Sequence, residues 1–359
     1  MSEDLISVVI PTYNEQDNIT PLVERLAKAF NGHPYEVLFV DDNSKDGTVS
    51  TVARLSEKYP VKALVRLKEK GLATAVLHGF KYAQGDTVLV MDADLQHPPE
   101  VIPQLIAAIK GGADMAVGSR YVPGGGVPNW SLLRRVISKG ALTLAHVFLP
   151  TTRRVKDPMS GFYMFRRQVK TPIDYQPTGY KILLEMLVVG NFQKVVEVPF
   201  IFEDRSSGRS KMKARQQLDY LKHIFSLMRR TGELTRILKF LVVGLIGTGV
   251  NEGILKLVTD FTTWNNYVAL IPGIEISILT NFLLNDYFTF SDRRSGQRRS
   301  FFGRMLKYNI TALAGALINY GVALLFAQVV GLNVLLSNFI GILVAFVWNY
   351  LLSTLWTWK

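Results

Sequence analysis

The chain reads as an α/β domain with a mostly parallel sheet, followed by interfacial helices and four transmembrane helices in two repeated hairpins. Three observations predict this. Short β-branched runs alternate with helical stretches over the first half. Composition turns apolar near residue 236, and the apolar half repeats itself at an offset of 68 residues, Asn251 recurring as Asn319. With 359 residues, 48% hydrophobic and 19% charged, the chain is too apolar for disorder and long enough for two domains. It has no cysteine, which removes disulfides, thiolate nucleophiles and zinc–thiolate or iron–sulfur sites together.

The strands come first. Ile6–Ile10, Glu36–Val40, Val61–Val65, Thr87–Met91 and Met115–Gly118 are short runs rich in β-branched residues, and Asn18–Phe30 and Leu72–Tyr82 read as helices between them. Such alternation predicts a parallel sheet covered on both faces. Ligands then bind beyond the carboxyl ends of the strands. The polar segments PTYNE, DDNSKDGT and DADLQH follow the first, second and fourth runs. The opening MSEDLISVVIPTYNE has neither the basic start nor the long apolar run of a signal peptide, so this domain is expected to be cytosolic.

Asp92 and Asp94 flank Ala93 at a strand end, a spacing that aims two carboxylates at one hard cation, with Gln96 as a further oxygen ligand. Mg²⁺ or Mn²⁺ fits that donor set. Surface acids and helix caps produce the same triplet, and Asp41-Asp42 with the residues after it also makes a good turn. These readings stay open on spacing alone. Neither GxGxxG nor GxxxxGK[ST] occurs, so no dinucleotide fingerprint or P-loop competes.

The net charge of +12 sits in two places. Arg205–Lys239 carries ten basic and two acidic residues, and Ser291–Lys307 carries six basic and one acidic. Both adjoin apolar segments, which points to anionic headgroups and a phosphorylated ligand rather than to nucleic acid.

Residues 237–258, 267–290, 305–330 and 334–358 are each apolar and long enough to cross about 30 Å of hydrocarbon as a helix. The loop SDRRSGQRRSFFGR is strongly basic, while 259–266 and 331–333 carry no Lys or Arg. The excess places the basic loop, the N-terminal domain and the C-terminus on the cytoplasmic side of a cell membrane. Asn251, Gly253, Gly273, Asn281 and Thr289 recur as Asn319, Gly321, Gly341, Asn349 and Thr357, which reads as a duplicated hairpin. The repeated Asn are expected to hydrogen-bond between helices. Glu252, Lys256, Glu275 and Asp286 are candidates for a polar interior, with Glu252 and Lys256 also able to pair at i, i+4. Association of copies through this half stays open.

PTYNE at 11–15, VDDNSKDGT at 40–48, DADLQHPPE at 92–100, GSRY at 118–121 and DPMSGFYMFRR at 157–167 together resemble the family 2 inverting glycosyltransferases, and within them the dolichol-phosphate mannose synthase branch. The motifs run in the family's order over residues 5–215. The four-span half resembles GtrA-type membrane proteins. The resemblance implies a Rossmann-like GT-A nucleotide-sugar fold. It implies that Pro11, Tyr13 and Glu15 line the nucleoside pocket beside Val40, and that Asp42 reads the base edge with Asp41 beside it. Asp92, Ala93, Asp94 and Gln96 would meet the donor diphosphate, with Asp92, Asp94 and Gln96 on the metal.

The reaction so implied is transfer of mannose from GDP-mannose to dolichyl (polyprenyl) phosphate with inversion, releasing GDP. A polyprenyl monophosphate is mostly a dianion at neutral pH and needs no general base. It needs cations, because it must approach a nucleotide diphosphate. Arg120, Arg134, Ser138, Arg205 and Lys211 meet that need at positions the family uses for phosphates, with Asp94, Arg120 and Arg205 closest to catalysis. UDP-glucose as donor, or a lipid-linked sugar translocator with a nucleotide-sugar-binding domain, are the alternatives.

Residues 131–149 and 214–230 combine basic residues with a broad apolar face, as interfacial helices do. The expected division is a catalytic domain over 1–213, an interfacial helix and linker over 214–236, and a membrane domain over 237–359.

Overall fold

The computed structural model describes residues 5–170, 175, 181–203, 214–294 and 300–358. The chain forms two compact units, Met1–Met228 and Arg229–Lys359. In the first, seven strands form one sheet: β1 (Ile6–Thr12), β2 (Tyr35–Asp41), β3 (Val61–Val65), β4 (Thr87–Val90), β5 (Met115–Ser119), β6 (Tyr163–Arg166) and β7 (Val195–Pro199), in the order β3-β2-β1-β4-β6-β5-β7. All run parallel except β6, which is antiparallel to both β4 and β5. The five expected strands are present within one or two residues of their expected ends. Periodicity did not reveal β6 and β7. Tyr163, Met164 and Phe165 of β6 are all fully buried, and a short apolar run buried on both faces carries no alternation to read.

Helices α1 (Gln16–Phe30), α2 (Thr48–Leu55) and α4 (Ile102–Lys110) cover one face of the sheet, and α3 (Leu72–Tyr82) and α6 (Ile182–Val189) the other. Each face closes a separate apolar core, one around Leu22, Leu26 and Phe39, the other around Val40, Phe80 and Met186. Because β1 pairs with β2 on one side and β4 on the other, the chain leaves β1 and β4 in opposite directions, which opens a crevice at their carboxyl ends.

Two helices do not serve this core alone. In α5 (Leu132–Phe148), capped by the Ser131 hydroxyl accepting from the Arg134 N–H, Leu132, Leu133 and Val136 are exposed. In α7 (Ala214–Arg230), Tyr220, Ile224, Leu227 and Met228 are buried while Leu218, Leu221 and Phe225 are exposed. The Tyr220 hydroxyl donates to the Ala141 carbonyl, which joins the two helices. Accordingly α7 packs with the first unit as far as Met228. Both present apolar surface as interfacial helices do.

The second unit consists of α8 (Glu233–Phe261), α9 (Asn266–Leu284), the short α10 (Ser291–Arg294), α11 (Phe301–Gln328) and α12 (Val334–Leu352). Four of its helical segments are long and apolar enough to cross a membrane. The duplication is visible in three dimensions. The repeated Asn do not make the expected interhelical hydrogen bonds through their side-chain oxygens, which are buried without a partner among the described residues. Instead Asn281 presses on Gly247 as Asn349 does on Gly315, and Asn251 lies on Gly273 as Asn319 does on Gly341; a Cβ on any of the four glycines would collide. The last turn of each hairpin widens to a π-helix, at Asn285–Thr289 and again at Ser353–Thr357. Phe240, Phe282 and Phe290 meet their repeat counterparts Tyr308, Tyr350 and Trp358 in one aromatic cluster. Phe290 and Trp358 stack at 4.5 Å between ring centres.

Of the four ionisable candidates for a polar interior in this half, the structure buries one. Glu252, Lys256 and Glu275 are exposed on the unit's surface, and the first two form no ion pair among the described residues. Asp286 is fully buried. It accepts from Arg304 Nε at 2.8 Å, from Arg304 NH2 at 2.9 Å and from the Trp358 indole at 2.9 Å. A carboxylate holding three donors tolerates burial where an unpaired one does not.

Candidate active site

The crevice at the ends of β1, β2 and β4 gathers most of the expected donor residues. The loops after β1 and β2 are laced together: Asn14 N–H donates to the Ser44 hydroxyl, Lys45 N–H to Asn14 Oδ1, and Glu15 N–H to the Thr48 hydroxyl. Asn14 and Asn43 take left-handed conformations, which Asn tolerates better than most residues. Asp41 is buried and accepts from the Thr12 hydroxyl and from the N–H and hydroxyl of Ser44, so it holds the turn. Asp42 accepts from the Arg66 guanidinium and from Gly71 N–H. Arg66 also reaches the Thr74 hydroxyl at 2.9 Å and the Gly71 carbonyl at 3.0 Å, which ties the 66–74 segment over Asp42. Tyr13 is about half exposed with the Lys70 ammonium 5.4 Å above its ring. An open aromatic face beside an anchored carboxylate suits a nucleobase. Pro11 and Val40 are register partners in β1 and β2, and Glu15 accepts from the Asn18 amide at 2.7 Å.

The DADLQH segment turns sharply after β4. Leu95 adopts a left-handed φ of 63°, a strained state for a branched side chain. Asp94 and Gln96 are buried, while the Asp92 side chain is 35% exposed. Asp94 Oδ1 accepts from the Gln96 N–H at 3.2 Å, and Gln96 Nε2 donates to the Glu203 carbonyl at 3.0 Å. An amide held by its NH₂ turns its carbonyl oxygen the other way. His97 anchors the turn. Its Nδ1 accepts from Asp92 N–H at 3.1 Å, its ring lies against Phe162, Phe200 and Phe202, and burial pushes its pKa down to about 4, so it is neutral. Gly161 completes the cradle: a Cβ there would stand 3.3 Å from Asp92 Oδ2 and 3.1 Å from the His97 ring. These are hard oxygen donors, suited to Mg²⁺ or Mn²⁺. Among the described residues no three His, Asp or Glu gather as a metal cluster. A cation here would therefore complete its shell with diphosphate oxygens and water.

Cations stand next to this loop. The Arg120 guanidinium is held by fully buried Asp157, at 2.7 Å and 2.8 Å. Arg120 and Arg134 both lie over the Trp130 ring, at 5.4 Å and 4.1 Å. One indole thus brings two guanidinium groups together despite their repulsion. Ser138 shares a 2.9 Å hydrogen bond with the Tyr121 hydroxyl. Lys181 donates to the Met159 carbonyl at 2.8 Å. Burial and the nearby Arg120 lower its pKa to about 8 against the pull of Asp157 and Asp92. Arg205 and Lys211 lie outside the described residues.

Sequence reasoning assigned no role to Arg66, His97, Trp130, Asp157 or Lys181. His97 and Asp157 stood inside motifs already quoted. Nothing local marked the other three, whose neighbours come from distant segments.

Trp130→Ala is expected to raise KM for a phosphorylated acceptor about tenfold with the affinity for donor nucleotide unchanged, because Arg134 loses the ring that holds it. Steady-state kinetics with calorimetry of the nucleotide checks this.

Comparisons with known proteins agree on the two halves. Residues 7–171 match Glycosyl transferase family 2, and residues 239–358 match the GtrA/DPMS transmembrane domain. A dolichol-phosphate mannosyltransferase of Pyrococcus furiosus is 49% identical over 98% of this chain and 99% of its own length. A dolichol-phosphate mannosyltransferase of Saccharomyces cerevisiae is 39% identical over 62% of this chain and 86% of its own. Among solved structures, glucosyl-3-phosphoglycerate synthase of Mycobacterium tuberculosis, in complex with Mn²⁺, UDP and glucosyl-3-phosphoglycerate, superposes with a TM-score of 0.50 at 19% identity, covering 64% of this chain and 80% of that one. At that identity the likeness speaks for the fold.

Proposed function

Since the chain belongs to the dolichol-phosphate mannosyltransferase family, a family 2 glycosyltransferase domain joined to a GtrA/DPMS transmembrane domain, we propose that it transfers mannose from GDP-mannose to dolichyl phosphate with inversion at C1. The observation that carries this reading is that the Asp92–Asp94–Gln96 turn and the Arg120–Trp130–Arg134 cations meet across Phe202, which packs on His97 of the turn and under Arg120. One half suits a nucleotide diphosphate and the other a phosphate acceptor.

In this reading Tyr13 and Asp42 hold the base, and Asp92, Asp94 and Gln96 hold a divalent cation. When bound, that cation shields the charge of the departing GDP. Arg120 and Arg134, with Ser138 and also Arg205 and Lys211, hold the lipid phosphate so that one of its oxygens faces C1 opposite the leaving group. No protein base is required, since the phosphate is already anionic. The catalytic unit works on the cytoplasmic side, with the basic 291–304 loop beside anionic headgroups.

The test is a panel of nucleotide sugars with the purified chain and a short polyprenyl phosphate, with the sugar and anomeric configuration of the product determined. β-Mannosyl product from GDP-mannose is expected. Preferential use of UDP-glucose, or retention of configuration, overturns the reading.

Two further outcomes follow. Lys181 is cationic below pH 8 in the free protein, so kcat/KM for the donor is expected to fall as pH rises through about 8. Lys181→Arg, cationic throughout, should remove that alkaline limb, and a limb unchanged by the substitution would take Lys181 out of the site. Residues 1–230 alone are expected to transfer to a short detergent-soluble acceptor within about tenfold of the full chain, ~1.4 kcal/mol in barrier. With long acceptors in vesicles the full chain should be far superior, because anchoring raises effective concentration.

A further inference from the structure

Helix α5 carries three distinct stripes. Arg134 and Ser138 form the stripe that meets Trp130 and Tyr121. Leu132, Leu133, Val136 and Ile137 form an exposed apolar stripe. Arg135, Lys139 and Leu142, recurring every three to four residues, form a third. This third stripe faces a cavity of about 720 Å³, walled by Val127, Leu142 and Ile201 and rimmed by Arg135, Lys139 and Lys156. By helical spacing the cavity stripe lies between the apolar stripe and the Arg134–Ser138 stripe, and Tyr121, bonded to Ser138, also lines the cavity.

The rim is cationic, with no carboxylate partner among the described residues. Arg135 donates to the carbonyls of Val127 and Pro128 at 3.3 Å and 2.8 Å. Among the described residues, none of Arg135, Lys139 and Lys156 stands in an ion pair. Glu197, which could neutralise Lys156, accepts instead from the backbone N–H groups of Lys156 and Asp157. Apolar walls with a cationic rim, beside a helix face suited to a bilayer, match an amphiphile with an anionic head. Free phosphate would leave the apolar walls facing water. An acceptor lipid brings one phosphate, and the Arg120–Arg134 stripe takes it, so the three rim cations call for a second anion.

We infer that this cavity binds an anionic phospholipid of the surrounding bilayer, whose head lies on Arg135, Lys139 and Lys156 and whose first chain carbons lie on Leu142 and Ile201. The lipid does not react. It fastens α5 to the membrane beside the acceptor stripe, with Tyr121, the hydrogen-bond partner of Ser138, standing between the two. The inference rests on the membrane character of the chain and on the acceptor site proposed above, and not on the identity of the donor sugar.

The experiment titrates the full chain in neutral detergent with phosphatidylglycerol, read by native mass spectrometry, with phosphatidylcholine and inorganic phosphate as separate competitors. Retention of phosphatidylglycerol against both competitors is expected. Lys139→Gln and Lys156→Gln should each weaken it about fivefold, as loss of one cation near a lipid head implies. Leu142→Trp, which fills the cavity without touching a charge, should weaken it as well. Transfer to a short acceptor in phosphatidylcholine nanodiscs should be the same for all variants. Wild-type retention in the lysine variants overturns the inference, and so does displacement by phosphate alone. A raised KM of Leu142→Trp for long-chain acceptors, with phosphatidylglycerol binding intact, would overturn it by giving the cavity to the acceptor's own chain. Failure of the chain to use GDP-mannose would leave all these outcomes unaffected.

Discussion

Asp94→Asn is expected to lower kcat/KM for sugar transfer about a thousandfold, ~4 kcal/mol of barrier, in a protein that still folds. The substitution keeps an oxygen to accept from the Gln96 N–H, so the turn after β4 retains its hydrogen bond. In the proposed reading the substitution removes one of the two carboxylate charges that would hold a divalent cation on the donor diphosphate, and a cation held by fewer charges binds weakly. Nucleotide affinity should lose its dependence on Mg²⁺ or Mn²⁺, measured by calorimetry with and without the metal. Turnover near that of the wild type at saturating metal would remove Asp94 from the reaction.

The second large effect lies in the membrane half. Asp286→Ala leaves the Arg304 guanidinium buried without its bidentate partner and leaves the Trp358 indole without its acceptor. Breaking a buried pair from one side costs about 3–5 kcal/mol, whereas replacing both members with apolar residues is often near neutral. Asp286→Ala is therefore expected to lower the thermal midpoint of the full chain in detergent steeply. Asp286→Leu combined with Arg304→Met should recover most of the loss. A double variant no more stable than the single one would show that the triad contributes through more than its charges.

Much of the fold was legible in the sequence because its signals are local. The β-branched runs, the turn chemistry of DDNSKDGT and the apolar length of the four spans each depend on near neighbours in the chain. The repeat was legible too, as identities 68 residues apart. Its physical cause was not. Asn281 and Asn349 recur because each packs on a glycine of the adjacent helix, Gly247 and Gly315. Glu252, Lys256, Glu275 and Asp286 were all candidates for a polar interior on grounds of cost, yet the first three are exposed on the unit's surface while Asp286 is enclosed by Arg304 and Trp358. A residue's helix position says which stripe it occupies, not what packs against that stripe.

The candidate site divides in the same way. Asp42, Asp92, Asp94 and Arg120 were named from motifs, because chemistry at strand ends leaves short polar signatures after apolar runs, and Arg134 from the resemblance alone. Arg66, Trp130 and Lys181 left none. Arg66 acquires meaning from Asp42, 24 residues earlier, and Lys181 from Arg120 and Asp157. Residue types and spacing by themselves determined a parallel-sheet domain with polar strand ends and a duplicated four-span half. Tertiary structure alone decided that Trp130 unites two cations, that neutral His97 props the Asp92 turn and that the rim of the α5 cavity carries cations with no carboxylate partner among the described residues. Those properties are sums over groups far apart in the chain, and burial, pKa and cation–π contact arise only when folding brings such groups within a few ångströms.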